Sequence, residues 1–239
     1  MRRNFDIIFG MLKIDIISVQ PKMFEGFLTE SIVARAVRKG LCEINIIDLR
    51  DFAHDRHRSV DDKPYGGGPG MLMMCGPWFE SVESRVGEKP LPANTRVIMT
   101  SPSGKRFTQS DAKALAESAE HIVFMCGHYE GFDERIKTLA TDEFSIGDFV
   151  MTGGELAAAA MTDSIVRLIP GVLGGGAAAT SNESFGADGL LEPPQYTHPA
   201  CYRGMSVPEV LTQGDHRKIE QWKKSEALRL TKERRPDLI

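Results

Sequence analysis

Cysteine is scarce in this 239-residue chain: Cys42, Cys75, Cys126 and Cys201 stand far apart and form no Cys-x-x-Cys pair. Neither a zinc knuckle nor a disulfide framework is expected from that spacing, and a reducing, cytoplasmic compartment fits. Long apolar runs are missing as well, since none approaches the roughly 20 residues of a membrane span. The N-terminal MRRNFDIIFGMLK has two arginines and a short apolar patch but no small-residue cleavage site, so it does not read as a signal peptide. The first convincing strand begins at residue 11, which makes residues 1–10 an expected N-terminal extension. An excess of positive charge is also lacking, and the formal net charge of −4 argues against a protein that coats nucleic acid nonspecifically. The familiar phosphate-binding fingerprints fail in turn. Gly104-Lys105 is followed by Arg106 rather than Ser or Thr. GGGAAA at 174–179 satisfies G-x-G-x-x-A, but it follows Pro170-Gly171 and precedes polar residues, so it reads as a chance match in a linker.

What is present describes a globular protein. Hydrophobic residues make up 41% and charged residues 26%, enough for one domain with a full core plus a small appendage. Residues 12–19 alternate and are β-rich, and residues 22–39 carry Met23, Phe24, Phe27, Leu28, Ile32, Val33, Ala36 and Val37 at helical spacing. Gly40 ends that helix, and 42–49 reads as the next strand. A βαβ unit of this kind predicts parallel strands and a right-handed crossover. Residues 50–70 interrupt the period with charge, histidine and the glycines Gly66, Gly67, Gly68 and Gly70. His54 and His57 are three apart with no third ligand nearby, so no metal site is predicted. The arginines and histidines beside Asp61 and Asp62 suit a phosphate or a neighbouring subunit.

The period then resumes with helices predicted at 77–86, 110–119 and 132–140 and strands at 96–100 and 121–126. Each strand runs into a tight polar or glycine-bearing turn: SPSGK at 101–105, GHYEG at 127–131, and FSIGDFVMTGGEL at 144–156. In the last of these, glycine lets a ligand approach bare backbone, and the turn opens a helix whose first N–H groups lack partners. Parallel strands put their C-terminal ends on one edge, where ligands of α/β proteins bind, so the three turns are expected to converge on a pocket. An alanine-rich helix at 155–168 follows. The Gly/Ala/Ser/Asn composition of 170–184 implies mobility, and Pro193, Pro194 and Pro199 forbid a helix beyond it. Residues 207–239 read as strongly helical, with Val210, Leu211, Ile219, Trp222, Leu228 and Leu230 as apolar contacts. The 216–239 stretch carries eight basic against four acidic residues, which suits a solvated helix face or a nucleic-acid contact.

The motifs taken together resemble one family. They are VDDKPYGGGPGMLM at 60–73, SPSG at 101–104, CGHYEGFDER at 126–135, SIGDFVMTGGELA at 145–157, RLIPGVLG at 167–174, SFGADGLLEPPQYTHP at 184–199 and ERRPDL at 233–238. From residue 11 onward the sequence is similar to the bacterial tRNA (guanine-N1)-methyltransferases acting on guanosine 37, within the SPOUT class. The resemblance implies a parallel-sheet α/β fold with a deep trefoil knot over 11–169, a linker at 170–197 and a helical, tRNA-binding domain at 198–239. It implies a cytoplasmic homodimer in which the partner's linker and C-terminal domain complete each site. It also implies S-adenosylmethionine as methyl donor, leaving S-adenosylhomocysteine, and Mg²⁺ for activity without a dedicated protein cage. Carried over to this sequence, the cofactor contacts fall on Thr100, Ser101, Pro102, Gly127, Tyr129, Glu130, Ile146, Gly147, Asp148, Phe149, Val150, Met151, Gly153 and Gly154.

The chemistry asks for a carboxylate to take the guanine N1 proton and a cation to stabilise charge building on O6. The resemblance supplies Arg167 as the cation, a residue that would otherwise read as a helix C-terminal cap. The family carries Asp directly before the Ser-Phe pair, where this chain has Glu183, and Gly186 looks like a one-residue insertion. Glu183 is therefore ranked first as base and Asp188 second. Glu192 matches an acidic position at the guanine edge, and His216 and Arg217 fall on tRNA-contact positions. Two other readings remain at this point: an RNA-binding module without catalysis, and a related knotted enzyme methylating ribose 2′-OH.

Overall fold

The computed structural model describes residues 11–175, 180 and 183–239. The expected extension at 1–10 and residues 176–179, 181 and 182 of the glycine- and alanine-rich stretch lie outside the described residues. The chain divides into two compact units, residues 1–173 and 174–239.

The first unit is built on five strands: β1 (Leu12–Ser18), β2 (Cys42–Asp48), β5 (Thr95–Arg106), β6 (His121–Cys126) and β7 (Asp142–Ser145). They run in the order β2-β1-β6-β5-β7, and every neighbouring pair is parallel. Between β2 and β5 a two-residue ribbon, β3 (Asp61–Asp62) with β4 (Leu72–Met73), closes the glycine-rich loop. Around the sheet run α1 (Glu25–Thr29), α2 (Ser31–Arg38), α3 (Cys75–Val86), α4 (Gln109–Ser118) and α5 (Glu155–Val166).

Residue alternation along each strand divides the core in two, as the period of 2 requires. Ile14, Ile16, Ile98, Ile122, Phe124 and Cys126 pack with residues of α2, α4 and α5. Ile17, Val97, Met99, Val123 and Met125 pack with Trp78 and Val82 of α3 and with Ile136 and Leu139. β1 is therefore buried along nearly its whole length, not half-buried as an alternating strand would be. Covering both faces is what an all-parallel sheet needs.

Two predicted helices and one predicted strand differ in detail, each for a local reason. The run at 22–39 breaks at Glu30, whose backbone is extended, into a 3₁₀ turn (Pro21–Phe24), α1 and α2. The Thr29 hydroxyl donates to the Glu25 carbonyl at 2.9 Å, a side-chain bond that competes with continued helix. The run at 132–140 is a 3₁₀ helix, Glu134–Leu139. Its buried Ile136 and Leu139 are three apart and share a face at three residues per turn. β5 extends past the predicted 96–100, because SPSG forms an irregularity inside the strand: pairing with β7 shifts between Thr100 and Lys105.

The second unit contains a short ribbon, β8 (Cys201–Tyr202) with β9 (Met205–Ser206), and one long helix, α6 (His216–Arg234). The expected continuous helix from 207 is interrupted by Gly214 at φ +77°. Asp215 then caps α6 by accepting from the Lys218 N–H at 3.1 Å. The buried residues of α6 are Ala227 and Thr231 rather than the larger apolar ones, and Leu228 is exposed. Thr231 is buried because it is paired: its hydroxyl donates to the Ala227 carbonyl at 2.7 Å and accepts from the Leu191 N–H at 2.9 Å.

Candidate active site

At the C-terminal edge of the sheet the three predicted turns meet around a cavity of about 400 Å³. Thr100 to Ser103 line it from β5, Gly127 to Phe132 from the turn after β6, and Ser145 to Gly147 and Phe149 to Gly154 from the turn after β7. Thirteen of the fourteen residues expected at the cofactor line this cavity; Asp148 does not.

Main-chain bonds hold the turns together. The Gly154 N–H donates to the Gly127 carbonyl at 2.8 Å, and His128 bridges Gly153 in antiparallel fashion. Side chains on these glycines would prevent that approach. A Cβ on Gly154 would lie 1.9 Å from Thr100 Oγ1 and 3.0 Å from the Gly127 nitrogen. The Thr100 hydroxyl itself is committed to the Met125 carbonyl at 3.0 Å. Ser145 Oγ closes the third turn, donating to the Gly147 carbonyl at 3.0 Å and accepting from the Gly147 N–H at 3.2 Å. Bare backbone therefore forms part of the cavity wall, beside side chains such as Tyr129, Ile146 and Met151, and suits a ligand read in part by main-chain groups.

The loop at 50–73 folds onto the middle turn. Met73 N–H donates to Gly131 O at 2.9 Å, Glu130 N–H to Met71 O at 3.0 Å, and Asp133 N–H to Met73 O at 3.1 Å. Arg50 donates to the Tyr129 hydroxyl at 3.2 Å, steadying a residue at φ +55°. His54 lies 2.8 Å from Glu80. Charge is arranged around the cavity too. Burial works against the Glu143 carboxylate, yet hydrogen bonds from Ser101 and Ser103 and the charge of Lys137 hold its pKa below the usual range. Burial, with the Glu155 carboxylate nearby, pushes the Cys126 thiol well up.

Other expected residues lie elsewhere. Arg167 follows α5 in the first unit, half-buried, its N–H bonded to the Asp163 carbonyl at 3.1 Å. Glu183, Asp188, Glu192, His216 and Arg217 belong to the second unit. There Glu183 is half-buried and opens a closed turn: Gly186 N–H donates to Glu183 O at 3.0 Å and Phe185 N–H to Leu190 O at 2.8 Å. Asp188 and Glu192 are exposed, the latter accepting from Gln195. His216 and Arg217 are exposed in the first turn of α6. Sequence reasoning missed His128, Glu155 and Ser18. The first two stand inside the quoted GHYEG and GGEL motifs, whereas Ser18 has no local signal at all.

Residues 12–239 match the family described as tRNA (Guanine-1)-methyltransferase TrmD. A tRNA (guanine-N(1)-)-methyltransferase of Lacticaseibacillus paracasei is 51% identical over 228 residues, covering 95% of this chain and 87% of the relative. Proteins of the same description from Geobacillus kaustophilus and Dehalococcoides mccartyi are each 50% identical over 229 residues, covering 95% of this chain and 91% and 90% of theirs. With a family match over residues 12–239 and identity at that level over nearly the whole of both chains, the chain belongs to the tRNA (Guanine-1)-methyltransferase TrmD family.

Proposed function

We propose that this enzyme transfers the methyl group of S-adenosylmethionine to N1 of guanosine 37 in tRNA, giving 1-methylguanosine. The observation that carries the reading is the cradle of bare backbone at Gly127, Gly153 and Gly154, where side chains would close the space between the turns. When bound, S-adenosylmethionine supplies an already activated methyl group on a sulfonium, so no further activation of the electrophile is required. The chain's own part is to hold both reactants in line and to manage one proton. Glu183 takes the N1 proton in this reading, with Asp188 the competing carboxylate, and Arg167 stabilises the charge developing on O6. Glu192 meets the guanine edge, while His216 and Arg217 meet the tRNA.

The finer features of the reading are a trefoil knot through the cavity turns, a cytoplasmic homodimer and a base flipped out of the anticodon loop. Apolar side chains exposed beside the cavity support a covered face in the dimer: Val150 at 88%, Leu156 at 58% and Phe149 at 55%. No helix among the described residues is long and apolar enough to cross a membrane. The described residues contain no group of three or more His, Cys, Asp or Glu able to hold a metal, and no side chain is assigned to Mg²⁺. The test is methyl transfer from labelled S-adenosylmethionine to unmodified tRNA, with nucleoside analysis of the product. Label in 1-methylguanosine at position 37, reduced strongly by Glu183→Gln, is the expected result. Label in a 2′-O-methyl nucleoside, or none, would overturn it.

A further inference from the structure

Beneath the cavity lies a pair of side chains to which the proposed chemistry gives no task. Glu155, the first residue of α5, is 2% exposed. Its Oε1 accepts from the Ser18 hydroxyl at 2.7 Å, and Ser18 Oγ accepts in turn from the Gln20 N–H at 2.8 Å. Its Oε2 faces His128 Nδ1 at 3.7 Å. That separation exceeds a hydrogen bond, yet Nδ1 is buried and has no hydrogen-bond partner among the described residues. A buried polar atom left alone costs stability, so its retention calls for a reason.

The surroundings supply one. Gly153 borders the space between the two groups: a Cβ there would lie 2.2 Å from Glu155 Oε2 and 2.5 Å from His128 Nδ1. Bare backbone at this position is what lets carboxylate and imidazole approach. His128 also belongs to the cavity wall, and its main chain is bridged to Gly153. The ring of Tyr129 stands edge-on to the imidazole, the two centroids 5.1 Å apart. His128 thus joins the buried carboxylate to the middle turn, and with that turn to one wall of the cavity.

We infer that His128 is a positioning residue: its Nδ1–H closes onto Glu155, held from behind by Ser18, when a ligand fills the cavity, and this clamp sets the 127–131 turn. A neutral imidazole carries hydrogen on one nitrogen only, and a buried carboxylate acceptor beside Nδ1 selects that tautomer. The gap at 3.7 Å is the open state of the clamp. Ser18, at the end of β1, ties the clamp to the sheet, so the turn closes against a rigid support. The inference rests on the reading that the cavity takes S-adenosylmethionine, and it adds a residue that touches neither base nor methyl group.

Two measurements test it. Long-range ¹H–¹⁵N spectra of the imidazole at pH 8.5 report the tautomer in the chain without ligand, and again after S-adenosylhomocysteine is added. The expected result is hydrogen on Nδ1 in both, with the Nδ1 resonance moving on ligand addition in the wild type and not in Glu155→Gln. Hydrogen on Nε2 with bare Nδ1 would overturn the clamp whatever the ligand does. By calorimetry, His128→Asn, which keeps a donor near the Nδ1 position, is expected to bind S-adenosylhomocysteine within about twofold of wild type. His128→Gln, whose donor falls nearer Nε2, is expected to bind about tenfold more weakly, the size of one hydrogen bond to a charged group. Equal binding by the two variants would overturn the inference. A wild-type chain that fails to bind S-adenosylhomocysteine would instead sink the proposed function, and the ligand-free tautomer would still decide whether Glu155 holds the ring.

Discussion

Among the described residues of the first unit two carboxylates are buried, Asp15 and Glu155, and they are treated differently. Asp15 is fully enclosed and fully answered. Arg85 donates to it through Nε at 2.8 Å and Nη2 at 3.2 Å, Asn45 at 2.9 Å, and His121 lies at 2.9 Å. Burial works to raise its pKa, but the hydrogen bonds from His121, Arg85 and Asn45 and the charge of Arg85 win and hold it well below the usual carboxylate range. Glu155 has one hydroxyl and an imidazole just out of reach. The same strand serves both, with Asp15 at its middle and Ser18 at its end. A fully satisfied polar network locks the frame, whereas a partly satisfied one leaves a group free to move, and the difference marks which end of the sheet handles ligand.

The comparison can be broken at either end. The largest effect is expected from Gly154→Ala, whose new methyl meets Thr100 and the Gly127 backbone: S-adenosylmethionine binding by calorimetry should fall below detection while circular dichroism retains the α/β signature. Retained binding would mean that the turns are not packed as described.

Asp15→Ala comes next. Removing one partner of a buried ion pair costs about 3–5 kcal/mol, here at the lower end because Arg85 and His121 keep some access to water. Urea unfolding at pH 7 measures it. A depressed folded pKa gives stability that is present above the unfolded value near 4 and is lost as pH falls through the folded one. The gap between wild type and Asp15→Asn should therefore narrow below about pH 4. A constant gap would show that the Asp15 charge contributes nothing.

Ser18→Ala removes a single buried donor from Glu155 and should cost about 1–2 kcal/mol in the same assay. It should also weaken cofactor binding, which no Asp15 substitution does directly. The smallest effect belongs to Gly26→Ala, in the first turn of α1 with nothing near its Cβ. There stability should rise by up to about 1 kcal/mol with binding unchanged. A loss there would refute the contrast drawn between crowded and open glycines.

Much of this was legible in the chain itself. The Ile-rich run at 12–18 and the Gly40 stop announced a βαβ start, and GHYEG and FSIGDFVMTGGEL announced turns because their glycines act locally. Convergence of three turns followed from the parallel-sheet rule without any contact being known. What escaped was of two kinds. Helical spacing at 22–39 and 132–140 was read correctly as helical, but breaks and 3₁₀ winding depend on single side-chain bonds that hydrophobic period does not register. The depth of β1 escaped because alternation describes the pattern along a strand and not how many layers cover it.

The βαβ start and the identity of the cavity-lining turns were thus legible in sequence alone, since apolar period, helix stops and turn glycines act between residues close along the chain. Only tertiary structure decided that Ser18 would support Glu155 across 137 positions and that His121 would answer Asp15 across 106. Such partnerships form when distant strands and helices are laid side by side, and their strength comes from burial, which exists only once the chain has folded.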